Sequence, residues 1–299
     1  MREVAMNPVP TILVTGVTGQ VGFELLRSLQ GLGRVVACSR SMLDLYDLDR
    51  VRAVVREVQP AIIVNPAAYT AVDNAEADGD AARRLNAAVP RVLAEEAARS
   101  GAVLIHYSTD YVFDGAKAGA YTEADATNPL NVYGATKLEG ELAIAKAGCA
   151  YLTLRTSWVY GRHGRNFLRT MLKLGAEQPE LRVVADQIGA PTWSKTIAAA
   201  TAHILSQGLA ARDAAWWQAR SGIYHLSAAG ETSWHGFAKA ILAIAMGDDA
   251  PEVVPIFASE FPVRAKRPAN SRMSHRKLTE TFGIHLPDWE DALSLCMAD

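Results

Sequence analysis

Along the first half of this chain, short apolar runs alternate with longer segments in which apolar residues recur at helical spacing. Thr11–Val14 is a β-rich run that ends in a glycine-rich turn, and Val21–Leu29 then reads as a helix. Arg34–Cys38 is a second apolar run and Leu48–Glu57 is helical. Ala61–Asn65 and Ala102–Ser108 read as buried strands with the alanine-rich helix Asp80–Arg99 between them, followed by a helix over Leu130–Ala147 and a strand over Tyr151–Arg155. The apolar runs lack strict in–out alternation, which predicts strands buried on both faces. Strand and helix in succession predict a parallel sheet, because parallel neighbours need crossover connections. The fold class expected is therefore α/β, a doubly wound parallel sheet of Rossmann type.

After about residue 160 the pattern loosens. Asp186–Trp193, Ser221–Ser227 and Ile256–Ser271 are loop-rich, with helices such as Ser233–Ala245 between them. This predicts a large domain over 10–160, with later segments returning to it over roughly 181–226, and a smaller C-terminal lobe within 161–299. A chain of 299 residues can bury a substantial core, and 49% hydrophobic with 21% charged residues excludes a disordered chain. A formal net charge of -2 offers no general attraction for nucleic acid or an anionic membrane. Any anionic ligand must then be held by local groups. Cys38, Cys149 and Cys296 form no CxxC, and the histidines form no HExxH, so neither a disulfide framework nor a metal site is expected. The start MREVAMNPVP lacks the apolar stretch of a signal peptide, and no run approaches the roughly 20 apolar residues that span a bilayer. The expected location is the reducing cytoplasm.

The chemistry begins at Ile12-Leu-Val-Thr-Gly16-Val-Thr-Gly19-Gln-Val-Gly22, a strand, a glycine-rich turn and a helix start. Gly16 allows the tight turn, Gly19 close approach of a pyrophosphate, and Gly22 packing of helix on strand. The helix N-terminus then offers free N–H groups to phosphate oxygens. The second strand ends Cys38-Ser39-Arg40, without the Asp or Glu that holds a ribose 2′-hydroxyl in NAD binders. Arg40 can instead pair with a 2′-phosphate, so NADPH is the expected cofactor, with NADH possible.

Tyr133 and Lys137 stand four apart on one helix face, within Asn131-Val-Tyr133-Gly-Ala-Thr-Lys137. A free phenol has a pKa near 10, and a nearby ammonium is expected to lower it, so the pair can move a proton while nicotinamide moves a hydride. Ser108-Thr109-Asp110 ends the strand that precedes this helix, where ligands of open α/β sheets sit. Thr109 is placed to hydrogen-bond and orient a reacting carbonyl.

These segments and others, NPAAYTAVD at 65–73, HYSTDYVFDG at 106–115, LNVYGATK at 130–137, LRTSWVYG at 154–161, DQIGAPT at 186–192 and RPANSR at 267–272, carry a resemblance. The chain resembles the extended short-chain dehydrogenases, and within them the dTDP-4-dehydrorhamnose reductase family. The resemblance implies Thr109, Tyr133 and Lys137 as catalytic residues. It implies cofactor contacts at Gly16, Gly19, Gln20, Val21, Gly22, Ser39, Arg40, Asp44, Leu45, Ala67, Ala68, Tyr69, Thr70, Tyr107, Tyr133 and Lys137. Thr109, Asp110, Tyr133, Trp158, Asn166 and Arg267 fall on its substrate side, and one or two cations of Arg264, Lys266, Arg267 and Arg272 would meet a diphosphate. The implied reaction is NADPH-dependent reduction of the C4 keto group of dTDP-4-dehydro-L-rhamnose, with the residues before about 160 binding NADP(H) and those after it a dTDP-deoxysugar. The implied assembly is a monomer or homodimer. Relatives that dimerise around magnesium use glutamates, one matching Glu24, but Lys195 stands where another would be, so no metal is expected. Two other readings use the same motifs: a nucleotide-sugar dehydratase or epimerase, and a non-catalytic cofactor-binding subunit. Tyr111, where dehydratases carry a glutamate after Thr-Asp, argues against the first.

Overall fold

A computed structural model describes residues 9–299. Most of the N-terminal segment read as lacking a signal peptide, residues 1–8, lies outside the described residues. Strands β1 (Thr11–Val14), β2 (Arg34–Ala37), β3 (Ile62–Asn65), β4 (Val103–Thr109) and β5 (Ala150–Thr156) follow the predicted runs to within two residues at either end. Shorter strands follow: β6 (Val159–Tyr160), β7 (Glu180–Val184), β8 (Ile188–Gly189), β9 (Thr192–Trp193), β10 (Gly222–His225), β11 (Thr232–Ser233) and β12 (Glu252–Ile256). The main sheet has six strands in the order β2-β1-β3-β4-β5-β10. Every pairing in it is parallel.

Successive residues of these strands enter opposite cores. Ile12, Val14, Ile62, Val64 and Ile105 meet Leu25, Leu29, Ile197 and Leu205 on one face. Leu13, Ile63 and Leu104 meet Val51, Val55, Leu93 and Ile144 on the other. The strands are apolar at consecutive positions because helices cover both faces. The strand order reverses between β2-β1 and β3, so the helices that follow β1 and β3 leave on opposite sides and open a crevice at the carboxyl edge.

Two elements depart from expectation. The single helix anticipated over Asp80–Arg99 is Gly79–Arg83, a wider π-turn over Arg84–Ala88, and Val89–Ser100. Pro90 has no N–H to give the carbonyl of Asn86, which interrupts the α-helical ladder at that point. The other is the returning segment, expected from about 181. Glu180–Val184 instead pairs with β12 in the smaller lobe. Only Leu181 and Val183 of that strand are buried, a one-sided pattern unsuited to a sheet covered on both faces. The return begins with the Ser194–Ala211 helix, which packs on the main sheet, and ends with β10 on its edge. The smaller lobe has its own core of Tyr160, Leu168, Phe237, Ile241, Trp289 and Leu293. No helix among the described residues is long and apolar enough to cross a membrane.

The Val132–Lys146 helix sits at backbone contact with two neighbours. A Cβ on Gly134 would strike the Tyr111 carbonyl, and one on Gly140 the carbonyl of Asn86. Asn86 Oδ1 accepts from Tyr69 N at 2.8 Å, and its Nδ2 donates to Thr136 Oγ1 at 3.1 Å, tying the π-turn to this helix. Further along, Glu141 accepts two bonds from Arg155 of β5, at 2.9 and 2.6 Å, with both side chains 2% exposed or less. Removing one member of a buried pair strands the other charge, at a cost of about 3–5 kcal/mol. Glu141→Leu should lower the urea-unfolding free energy by roughly that amount, and Glu141→Leu/Arg155→Met should recover most of the loss.

Candidate active site

The carboxyl edge of the main sheet opens into a cavity of about 900 Å³, bounded by the glycine turn, the end of β2, the loop after β3 and the end of β4. Its size suits a large organic ligand. Gly16 adopts a left-handed φ of 55°, and a Cβ there would lie 2.7 Å from the backbone nitrogen of Ala67. A Cβ on Gly22 would strike the Gly16 carbonyl. The turn is thus a cradle open only because side chains are missing from it. The Gln20–Ser28 helix that follows has no side-chain cap and no acidic residue in its first turn. Its leading N–H groups and positive dipole end remain available to an anion. Ser39, Arg40, Asp44, Leu45, Ala67, Ala68 and Thr70 line the cavity with Gly16, Gly19, Gln20, Val21 and Gly22.

At the end of β4 the Thr109 hydroxyl accepts from Tyr111 N at 3.1 Å and donates to Asp110 Oδ1 at 3.0 Å. Asp110 is 2% exposed, and burial pushes its carboxyl up to about 6, against the opposing pull of Ser271 and Thr109. The Val132–Lys146 helix brings Tyr133 beside this turn. Asn131 caps the helix by accepting from Gly134 N at 2.8 Å, and donates to the Lys266 carbonyl at 2.7 Å. The Tyr133 ring meets Tyr111 edge-on, with centroids 5.6 Å apart.

Lys137 does not depress the pKa of Tyr133 as the spacing implied. Burial dominates and pushes the phenol up to about 12, opposed by the Thr109 hydroxyl and reinforced by Asp110. The Lys137 side chain is turned toward β4, where Nζ donates to the Tyr107 carbonyl at 2.6 Å and lies 3.2 Å from His106 Nε2. Lys137 is 1% exposed, and burial brings its pKa down to about 8 despite Glu141. Tyr133 is therefore a neutral phenol near pH 7, the form that donates a proton.

Other expected residues have further employment. Tyr107 and Tyr133 both border the cavity, but the Tyr107 hydroxyl is bonded to Thr201 Oγ1 at 2.7 Å in the core. Tyr69 turns its hydroxyl toward Asp78 Oδ2, 3.5 Å away, while its backbone is held by Asn86. Asn166 is not brought into the cavity. It caps the Phe167–Glu177 helix through Arg169 N at 3.1 Å and holds the Gly161 carbonyl at 2.8 Å. Trp158 follows the end of β5 with a left-handed φ of 47°, and its ring stacks on Trp234 at 3.7 Å between centroids. A bulky residue in that backbone region is strained and is held by its surroundings. Arg267 pairs with Asp73 Oδ2 at 2.8 Å, drawing the 265–267 loop over the start of the Val132–Lys146 helix. Arg272 is spent within the fold on Asn270, Glu231 and the Ala118 carbonyl. Lys195 pairs with Asp299 at 2.8 Å.

The cavity also includes Thr18, Leu43, Tyr46, Leu85, Thr156 and Arg165, which sequence reasoning missed. Of these only Arg165 left a signal, the cation-rich run Gly161-Arg-His-Gly-Arg165. The others are ordinary residues that only the fold brings to the edge.

A parallel sheet, a glycine cradle at its switch point and a Thr–Tyr–Lys group at the next strand end define a Rossmann-type oxidoreductase of the extended short-chain dehydrogenase class. The family model described as the RmlD substrate binding domain matches residues 10–299. The chain is 51% identical over 294 residues to the dTDP-4-dehydrorhamnose reductase of Burkholderia thailandensis, covering 96% of this chain and 98% of that one. It is 43% identical over 289 residues to the enzyme of the same name from Escherichia coli K12, covering 93% and 94%. The crystal structure of dTDP-4-dehydrorhamnose reductase from Bacillus anthracis in complex with NADP superposes with a TM-score of 0.89 at 35% identity, over 97% of this chain and 99% of that one. The chain belongs to the dTDP-4-dehydrorhamnose reductase family.

The raised pKa of Asp110 has a measurable consequence. Between its ordinary value near 3.8 and about 6, the folded protein keeps a proton that the unfolded chain has released, so stability falls as pH rises through that window. In Asp110→Asn this decline should disappear. The unfolding free energy of the variant relative to the parent should grow by on the order of 2–3 kcal/mol from pH 4 to pH 7 in urea titrations.

Proposed function

We propose that this protein reduces the C4 keto group of dTDP-4-dehydro-L-rhamnose to give dTDP-L-rhamnose, with NADPH as its cofactor. The observation that carries this reading is the placement of Tyr133 as a buried neutral phenol beside Thr109, on the wall of the glycine-turn cavity. A reduction consumes a proton, and a phenol with a pKa near 12 holds one at neutral pH. Thr109, with its hydroxyl at the strand end, orients the carbonyl oxygen toward that phenol. Lys137, in its protonated form, supplies positive charge on the same helix face as the phenolate that forms. The residues that would hold NADPH are the Gly16–Gly22 turn at the pyrophosphate, Ser39 and Arg40 at the 2′-phosphate, and Ala67, Ala68 and Thr70 along the adenosine side. The bound nicotinamide supplies the hydride.

The main-sheet domain binds the cofactor on this reading, and the smaller lobe with the 265–267 loop receives the sugar nucleotide. Asp110 meets a sugar hydroxyl, Trp158 backs the sugar ring, and Arg267 faces the diphosphate on leaving Asp73. The NADP-bound relative and the family's shared name support the reading.

Mixing the purified protein with the keto sugar should consume one NADPH for each sugar reduced, followed by loss of nicotinamide absorbance. A dehydratase or epimerase would consume none. Tyr133→Phe should lower kcat by about 100-fold or more while the dissociation constant for NADPH moves by less than about threefold. Arg40→Ala should weaken NADPH by about tenfold, roughly 1.4 kcal/mol, and leave NADH nearly unchanged, which a fluorescence titration with both cofactors would show.

A further inference from the structure

Lys137 is the end of a line of buried polar side chains that crosses the sheet. Thr15 at the end of β1 donates to Asn65 Oδ1 at 2.6 Å, Asn65 Nδ2 lies 3.0 Å from His106 Nδ1, and His106 Nε2 lies 3.2 Å from Lys137 Nζ. Thr15, Asn65 and His106 are 0% exposed and Lys137 is 1% exposed. Buried as they are, these groups must satisfy one another.

The hydrogen bonds can run in only two directions. In the orientation the side chain adopts, the carbonyl of Asn65 faces the Thr15 hydroxyl and its amino group faces His106. His106 Nδ1 then accepts, and a neutral imidazole carries its hydrogen on Nε2, pointing at Lys137. An ammonium has no lone pair to receive it. This direction suits Lys137 as the free amine. An ammonium requires the whole line reversed, with His106 Nε2 accepting, Nδ1–H donating to Asn65 Oδ1, and Asn65 Nδ2 donating to Thr15. An imidazolium fits neither direction, and burial together with Lys137 holds His106 well below the usual histidine range.

The geometry points to His106 as a positioning residue that couples the charge of Lys137 to the amide orientation of Asn65, with Thr15 selecting between the two. The coupling matters to catalysis only if the reductase reading holds, since Lys137 then stands behind the proton donor. The charged and titratable groups around Lys137 are Tyr133 and Glu141 on its own helix, His106 on β4, and Arg155 on β5, which already neutralises Glu141. Only His106 is both in contact with the amine and able to change its donor pattern without changing charge.

The test is the titration of Lys137, read as the ¹³Cε shift in lysine-labelled protein without cofactor or substrate. Asn65→Asp places a carboxylate where it accepts from Nδ1–H, so Nε2 becomes the acceptor and the ammonium is favoured. Its Lys137 titration should rise by at least one pH unit. Thr15→Val removes the hydroxyl that holds the amide in place and should move the titration the same way by a smaller amount, while Thr15→Ser should restore the parent value. In a His106→Gln background neither substitution should move it by more than a few tenths of a unit. Active variants should show the same displacement in the pH profile of kcat. Equal shifts for Asn65→Asp with and without His106 would mean a through-space carboxylate effect and overturn the proposal, as would no shift in either Asn65→Asp or Thr15→Val. Because the NMR titration needs no turnover, a failed reductase assay would count against the proposed function alone.

Discussion

Parallel strands can be joined only by crossovers, and in this molecule that constraint decides where every other feature can lie. Each strand from β1 to β5 must end at the same edge, and each crossover must cover one face. The sheet is therefore buried on both sides, and its only exposed backbone of consequence lies at the ends. Polar side chains gather at the carboxyl edge because the interior cannot solvate them. The glycine turn after β1, the alanine loop after β3 and Tyr107 and Ser108 near the end of β4 thus border one cavity.

Placing charges at such an edge changes their chemistry. Burial raises Tyr133 and Asp110 and lowers Lys137, in each case against the charged form. The result is a phenol that keeps its proton and a lysine brought down toward neutrality. Neither property follows from the i, i+4 spacing of the pair. The packing that enforces the burial is equally specific. The helix carrying both residues lies at backbone contact with the Tyr111 and Asn86 carbonyls, at glycines on its face. The π-turn created by Pro90 offers one of those carbonyls while its Asn86 side chain holds the neighbouring loop.

The smaller lobe meets this edge through strained or paired elements. Trp158 is held at a left-handed φ by a stack on Trp234, and Arg267 is held by Asp73 of the main domain. Residues kept in such positions by several partners are pre-organised, and their cost is borne by the surrounding packing. The ion pair between Arg267 and Asp73 also joins the lobes over the start of the Val132–Lys146 helix.

Much of this was legible in the sequence. Strand–helix alternation and the glycine spacing determined the fold class and the sheet edge at which the cavity opens, because each is a local property of the chain. The break at Pro90, the pairing of β7 with β12 and the capping role of Asn166 were not legible, since each depends on which distant segment arrives alongside. The same holds for His106. In sequence it is one apolar-run histidine among several, and only the neighbouring strands bring Asn65, itself held by Thr15, to one nitrogen while the Val132–Lys146 helix brings Lys137 to the other. Sequence alone determined that Thr109, Tyr133 and Lys137 stand on one strand and the helix that follows it. Their protonation and direction of hydrogen bonding were decided by tertiary burial, which removes water and leaves each group only its neighbours as partners.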